Sequence, residues 1–397
     1  MRKINNYLIY YLIILLGFSF FFLFTKHQVG NDSTISEWLI NYEGGFTKRG
    51  LVGQFAIETA RFFGSDIRWV VFLFQSFVCT CYFILLYNLL IKLKSERVII
   101  LSIFSPIFIL YPVAEIEVLA RKEIIVFSLF LIYLFVPRNS NFKSFSLIIF
   151  SVLSILIWEP IIFFYPLLFI YEIIDRKIEK LNFQFFKIFI TFIPSLIVAL
   201  IIVFNPLSKD EHEIMAFVLK NEFNQSCYMS CALLLDKSTI IQQFEGNFGK
   251  YSLEVFIRYF LIFFIGFYPL NLLIKNSSLS NKNIIVSYFF KTLLKLFWIC
   301  LLPVTVLFAM GYDWGRWVNI TYVFLVLIYF KLLIDGQVEI NFKNLKYTFL
   351  YKIKGKTYLI FFIIFCFGWN PKTVITGDVA SFPGYRIPHK VFKILNN

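Results

Sequence analysis

Apolar runs of membrane-span length alternate along this chain with short polar punctuation. A membrane helix needs about 20 mostly apolar residues, within a range of roughly 17 to 25. Segments of that kind, several of them short, are Tyr7 to Phe24, Trp69 to Leu93, Val98 to Val113, Ile124 to Val136, Phe145 to Ile157, Ile161 to Ile174, Phe186 to Phe204, Val255 to Ile274, Leu293 to Met310, Val318 to Ile334 and Tyr358 to Trp369. Arg2 and Lys3 precede the first of them, as in a signal peptide. Its apolar run is long for one, and Phe20 to His27 offers no small-residue cleavage site, so it reads as an uncleaved anchor. The pattern predicts an all-α polytopic membrane protein with about 11 transmembrane or re-entrant helices. It forms one integral domain over residues 1–397, with outer connections at 25–68 and 205–254 and an outer tail at 371–397.

Composition narrows this further. The chain is 59% hydrophobic and 16% charged, whereas soluble domains are about 45 to 50% apolar and about 25% charged. The formal charge of +14 would suggest nucleic acid in a soluble protein. With Met1 cytoplasmic and all eleven segments crossing, however, the inner loops hold 21 of the 38 basic residues and only six of the 24 acidic ones. The excess is therefore an orientation signal, and no nucleic-acid partner is expected. The same reasoning decides Phe145 to Ile174. A single crossing there would put Lys343 to Lys356 outside, so two short arms meeting at Trp158-Glu159-Pro160 are expected, as crossings or as a re-entrant hairpin. The chain has no P-loop, GxGxxG, HExxH or CxxC.

Candidate chemistry lies on the outer side. In the first loop, Ile35, Trp38, Leu39 and Tyr42 follow helical spacing, with Trp38 expected as an interfacial anchor. A second stretch has Leu51, Phe55 and Phe62 on one face with Gln54, Glu58 and Arg61 off it. Between them runs Glu43-Gly44-Gly45-Phe46-Thr47-Lys48-Arg49-Gly50-Leu51-Val52-Gly53. It is either a nest in which glycine backbone and the Lys48–Arg49 pair receive phosphate, or a corner whose basic pair meets headgroups. The next turn holds Glu115, Glu117, Arg121 and Lys122. These are either recessed functional charges or an i, i+4 pair of Glu117 with Arg121.

Glu159 stands alone in an apolar stretch, as a general base or as a helix cap. In Asp313-Trp314-Gly315-Arg316-Trp317, an acid-held guanidinium between aromatic rings suits diphosphate and sugar. The alternative is a capped helix start with belt tryptophans and a snorkelling Arg316. The candidate catalytic carboxylates are thus Glu159, Glu43 and Asp313. The candidate binding residues are Lys48, Arg49, Arg121, Lys122, Arg316, Trp314 and Trp317, with Trp38 as a further aromatic platform. Cys227 and Cys231 are spaced compatibly with a disulfide, and His212 reads as part of a solvated loop or as a base.

With these features the chain resembles the membrane proteins of bacterial surface-polysaccharide clusters, above all the O-antigen and capsule repeat-unit polymerases. The likeness lies in its length, its many spans, its Phe- and Ile-rich composition, its large outer loops, and the Gly44 to Gly53 and Asp313 to Arg316 segments. The paired Arg-rich loops of some such polymerases have no counterpart here, so catalytic residues are not inherited from them. The resemblance implies a metal-independent, cofactor-free GT-C-type glycosyltransferase in the bacterial inner membrane. Its substrate would be undecaprenyl-diphosphate-linked sugar, and its neighbours membrane lipids, a chain-length regulator and a flippase. A GT-C enzyme adding a single sugar would want an acidic metal-binding pair, for which Glu115 with Glu117 is the candidate. A flippase of the same lipids and a non-enzymatic envelope assembly protein are the alternatives.

Overall fold

The computed structural model describes residues 2–30, 32–138, 142–235, 239–375 and 391–396. Of the expected outer tail, residues 376–390 and 397 lie outside the described residues. Among the described residues, five helices are long and apolar enough to cross a membrane: Tyr7–Gln28, Ile67–Leu90, Phe183–Phe204, Leu293–Met310 and Trp314–Ile334. A sixth forms if Leu253–Gly266 and Tyr268–Lys275, bent by 53°, count as one span.

The other expected spans are shorter or broken. Glu123–Phe135, Phe142–Ile157 and Gly355–Phe367 are short apolar helices. The expected Val98 to Val113 helix stops at Ile103 and resumes only at Leu110–Ala114. Ser105 precedes Pro106 there, and a residue before proline is pushed out of helical conformation. The exposed carbonyls of that break are taken by Asn319, whose Nδ2 donates to Ile107 O at 2.8 Å and to Phe108 O at 3.1 Å. Such a break inside an apolar bundle is tolerable only when its backbone groups find partners. Pro160 similarly turns the second arm of the Glu159 hairpin into a 3-10 stretch, Glu159–Phe164, before the helix Tyr165–Asp175.

Asn319 lies on the helix that organises the fold. Trp314–Ile334 is apolar nearly all round and buried without interruption from Trp314 to Phe330, as expected of a helix enclosed by others rather than facing lipid. At the chain's periphery, Gly50–Phe63 buries its small face, Val52, Gly53, Ala56, Ile57 and Ala60. The phenylalanines of the predicted apolar face point outward instead, with Phe62 83% exposed.

The connections gather at two ends. At the basic end, Arg97 donates to Ile353 O, Ile285 N to Ile178 O, and Arg176 to Ser144 Oγ, while Ser277–Leu279 pairs antiparallel with Val338–Ile340. The buried Lys143–Asp175 pair, 2.7 Å, ties Phe142–Ile157 to Tyr165–Asp175 there, and Glu172, paired with Arg176 at the end of its own helix at 2.7 Å, accepts from Tyr133 of Glu123–Phe135. At the other end, Lys26 pairs with Glu117, Arg68 bonds Gln225, Asn247 reaches Met310 O, and Gly315 N donates to Thr373 O.

If the basic end is cytoplasmic, Lys94→Cys and Lys354→Cys will react with an impermeant maleimide only in opened cells, in a background lacking the four free cysteines. Lys220→Cys and Glu245→Cys will react in intact cells. The reverse pattern would invert the orientation.

Candidate functional site

The site begins with a carboxylate that has no exposure to solvent. Asp32 caps the short helix Ser33–Trp38 by accepting from Thr34 N and Ile35 N. This sets Glu37 and Trp38 inward, both 0% exposed. The expected interfacial anchor Trp38 is instead a buried post. Its Nε1 donates to Ala120 O at 2.6 Å, and Gln75 Nε2 reaches the same carbonyl at 3.0 Å. These two donors fix the turn that carries Arg121, Lys122 and Glu123.

Glu37 accepts from two guanidinium groups, Arg49 Nη1 at 3.0 Å and Arg121 Nη1 at 2.8 Å. Arg49 also forks onto Glu159, Nε to Oε2 and Nη2 to Oε1, each at 2.8 Å. The backbone of Arg49 is left-handed, φ 62°, which costs a non-glycine residue of order 1 kcal/mol or more. That conformation is held by its two carboxylate partners and by Lys122 Nζ, which donates to Arg49 O at 2.6 Å. On the far side, Glu123 pairs with Arg316, and Arg316 Nη1 meets Asp313 Oδ2 at 3.1 Å. The four segments picked out by sequence thus converge: the Gly-rich loop through Arg49, the Arg121–Glu123 turn, the Glu159 corner and the start of the central helix.

The group is electrically balanced, with Arg49, Arg121, Lys122 and Arg316 against Glu37, Glu123, Glu159 and Asp313. Burial pushes the Glu37 carboxyl up, but the fields of Arg121 and Arg49 outweigh it and hold the group well below the usual carboxylate range. Glu159 follows the same logic, with burial overcome by Arg49. Lys122 goes the other way: burial pulls its ammonium down to about 7, only partly opposed by Glu37. Around this charge, Arg121 Nε, Arg316 Nε, Glu123 Oε2, Trp158 Nε1 and Trp317 Nε1 are buried and have no hydrogen-bond partner among the described residues. Four are donors, in a place where native interiors leave few polar atoms unmet. The rings belong to the same group: Trp158 and Trp317 lie 6.3 Å apart, and the Arg316 guanidinium lies 4.9 Å from the Trp317 ring. Glu123 and Asn319 also line a small cavity of about 20 Å³, room for a single water.

The other candidates fall elsewhere. Glu43 belongs to a surface group, accepting from Arg61 and Gln54, and Arg61 also binds Glu222. Lys48 adds its field to Glu159. Trp314 is enclosed by Tyr251, Phe256, Tyr259 and Phe308, and its Nε1 donates to Phe308 O, so it packs rather than presenting a face to sugar. The glycines serve the chain's own close contacts rather than an open nest. A Cβ on Gly44 would lie 1.8 Å from Glu211 O, and one on Gly315 would lie 1.9 Å from Lys372 O. Glu117 pairs with Lys26 and not with Arg121, while Glu115 is buried beside Thr373, so the two acids diverge rather than forming a metal-binding pair. His212 is half-buried against the Cys227–Cys231 disulfide, outside the ion-pair group.

Sequence reasoning missed Glu37. The signal was present, since it is the sole charged residue between Asp32 and Glu43, the same kind of isolation that marked Glu159. No protein-family model, curated protein or solved structure matches the chain.

Breaking a buried pair costs about 3 to 5 kcal/mol, because an uncompensated charge is left behind. Glu37→Gln leaves Arg121 without its carboxylate and takes one of the two partners of Arg49, so it is expected to lower the unfolding midpoint in detergent far more than Lys122→Met, which removes a charge that burial already disfavours. Equal losses would contradict the assignment. Because the Lys122 pKa falls from about 10.5 unfolded to about 7 folded, its contribution makes wild-type stability rise with pH across that window and fall as pH drops through 7. Lys122→Met should flatten that slope, as read by midpoints measured from pH 6.5 to 9.

Proposed function

We propose that this protein is a GT-C-like glycosyltransferase or polymerase of surface-polysaccharide biosynthesis. It acts on undecaprenyl-diphosphate-linked oligosaccharide at the outer face of the bacterial cytoplasmic membrane, with about 11 segments crossing or re-entering. The observation that carries the reading is the cluster of unmet donors, Arg121 Nε, Arg316 Nε, Trp158 Nε1 and Trp317 Nε1, beside four cations at the end of the bundle opposite the basic loops. Donors in excess of acceptors in a low-dielectric place suit an anion rich in acceptor oxygens, and guanidinium groups match phosphate geometry. Depth supports the reading as well. The helix Glu123–Phe135 reaches only about 20 Å, against a hydrocarbon core of about 30 Å, which agrees with an Arg121–Glu123 turn recessed from solvent and met by the headgroup of a lipid-borne anion.

In this reading Arg121, Lys122 and Arg316 take the diphosphate, and Glu37 and Glu123 hold them in place. Lys48 adds positive field nearby. Glu159, forked by Arg49 and held ionised, positions Arg49 and is a weak base while so paired. Asp313, at 28% the most exposed carboxylate of the group, is the better placed to accept the proton of an attacking sugar hydroxyl. A carrier of the same lipids is the second reading, favoured by the breaks at 104–109 and at the 53° bend, since transporters build sites from discontinuous helices.

Deleting the gene is expected to collapse the surface glycan from a ladder to a single repeat. Arg316→Ala or Asp313→Asn, present in the membrane at wild-type level, should restore at least ten-fold less polymer than wild type, in line with the loss of about 1.5 to 3 kcal/mol for a charged hydrogen bond. Glu58→Gln, on the surface, should restore it fully. An unchanged ladder in the deletion strain would overturn the proposal, and a ladder lost only through failed export would favour the carrier.

A further inference from the structure

A second group of reactive side chains sits outside the ion-pair group, on the loop that covers the first outer loop. The helix Lys209–Phe223 starts with a capping box formed by Ser208 and Glu211, and its residue His212 points toward the Cys227–Cys231 disulfide. His212 Nε2 lies 3.2 Å from Cys227 Sγ and 3.3 Å from Cys231 O. The two sulfurs and an imidazole nitrogen lie within 4.8 Å of one another. Cys231 is fully buried with Ile40, Leu207, Met215 and Leu234, whereas Cys227 is half-exposed.

Two features argue that the bond does more than hold the fold. It closes a ring across a separation of only four residues, and the stabilisation a disulfide confers grows with the loop it closes. The small apolar cluster and the bond from Ser230 Oγ to Ser33 O, 2.6 Å, already dock this loop without it. The ligand set is also chemically specific: two cysteines separated by three residues plus one imidazole is a common donor combination for zinc-class ions.

We propose that Cys227, Cys231 and His212 form a two-state centre: a disulfide when oxidised and, after reduction by a dithiol, a three-ligand site for a zinc-class divalent ion. In the reduction, a dithiol thiolate attacks the accessible Cys227 sulfur, the S–S bond breaks, and Cys231 leaves as thiolate. The second thiol of the reductant then releases Cys227, so two electrons pass from the dithiol, which ends as its own disulfide. Binding of the ion sends the two cysteine protons to solvent. His212 ligates through the Nε2 lone pair in its Nδ1–H form, giving up its contact with Cys231 O. Ligands at about 2.0 to 2.3 Å from zinc sit roughly 3.3 to 3.8 Å from one another, a small adjustment for atoms already this close. Three protein ligands leave one position open for water or a further ligand.

The test uses the full chain in detergent, reduced with dithiothreitol or left oxidised, incubated with Zn²⁺, desalted and assayed for bound zinc. Reduced wild type is expected to retain about one more zinc per chain than the oxidised form. Cys227→Ser with Cys231→Ser should lose that zinc, and His212→Ala, which leaves the disulfide able to form, should bind it at least ten-fold more weakly. Cys79, Cys81, Cys300 and Cys366 are present in all variants and control for adventitious thiol binding. Equal zinc in the oxidised and reduced forms, or zinc undiminished in the double serine variant, would overturn the proposal. The outcome is independent of the glycan assay above.

Discussion

The fully buried carboxylate of Glu37, shared between Arg49 and Arg121, is the interaction on which the rest of this end of the bundle depends. Taking an ion out of water costs several kcal/mol even after the protein relaxes around it. That cost is met only if each buried ion finds an opposite charge and hydrogen bonds at the same time. The chain meets it by bringing charges from segments far apart in sequence until acids and bases balance. One guanidinium, that of Arg49, joins Glu37 and Glu159, and Lys122 is held to the Arg49 carbonyl. Glu123 and Arg316 extend the same balance to the central helix. Loops that would otherwise be independent are therefore fixed relative to one another by electroneutrality in a low dielectric.

The helices supply the depth. A bundle made only of full-length spans would place these turns out in water, where ion pairs contribute little. Here Glu123–Phe135 and the paired arms Phe142–Ile157 and Tyr165–Asp175 are short, and the central helix is enclosed by its neighbours. At the basic end Lys143–Asp175 joins the two arms, and Tyr133 of Glu123–Phe135 donates to Glu172, which also pairs with Arg176.

Much of this was legible from the residues alone. The helical, membrane-spanning class followed from run length and composition, and the Glu159 corner from loop charge. Four of the segments chosen for chemistry do meet, because a charge stranded in an apolar stretch must find a partner, and the other stranded charges were the candidates. What pattern could not give was pairing. Glu117 and Arg121 have ideal helical spacing, yet Lys26 and Glu37 take them, because Lys26 and Glu37 come from elements that pack against that turn. The stretch 44–53 read either as a nest for phosphate or as a corner at the headgroups, whereas Glu211 of the helix Lys209–Phe223 fills the space at Gly44 and Gly45, and Tyr42 and the Ile40 backbone fill it at Gly50 and Gly53. Tryptophans placed by composition at an interface turned out to be enclosed, since an indole N–H can reach a buried carbonyl as well as a headgroup. The break at Pro106 was not read from the sequence, although the proline marks it, and Asn319, which makes it tolerable, lies more than 200 residues away.

The central claim is that distant segments act as one electrostatic unit, and a double-mutant cycle on Arg49 and Glu159 tests it most directly. Unfolding free energies of wild type, Arg49→Met, Glu159→Gln and the double variant would be measured in mixed micelles. The account predicts that the double variant loses less than the two single losses together, by at least about 1.5 kcal/mol, because each single change already removes the whole forked bond between the two groups. Additive losses would contradict it and leave these residues as neighbours without a shared role.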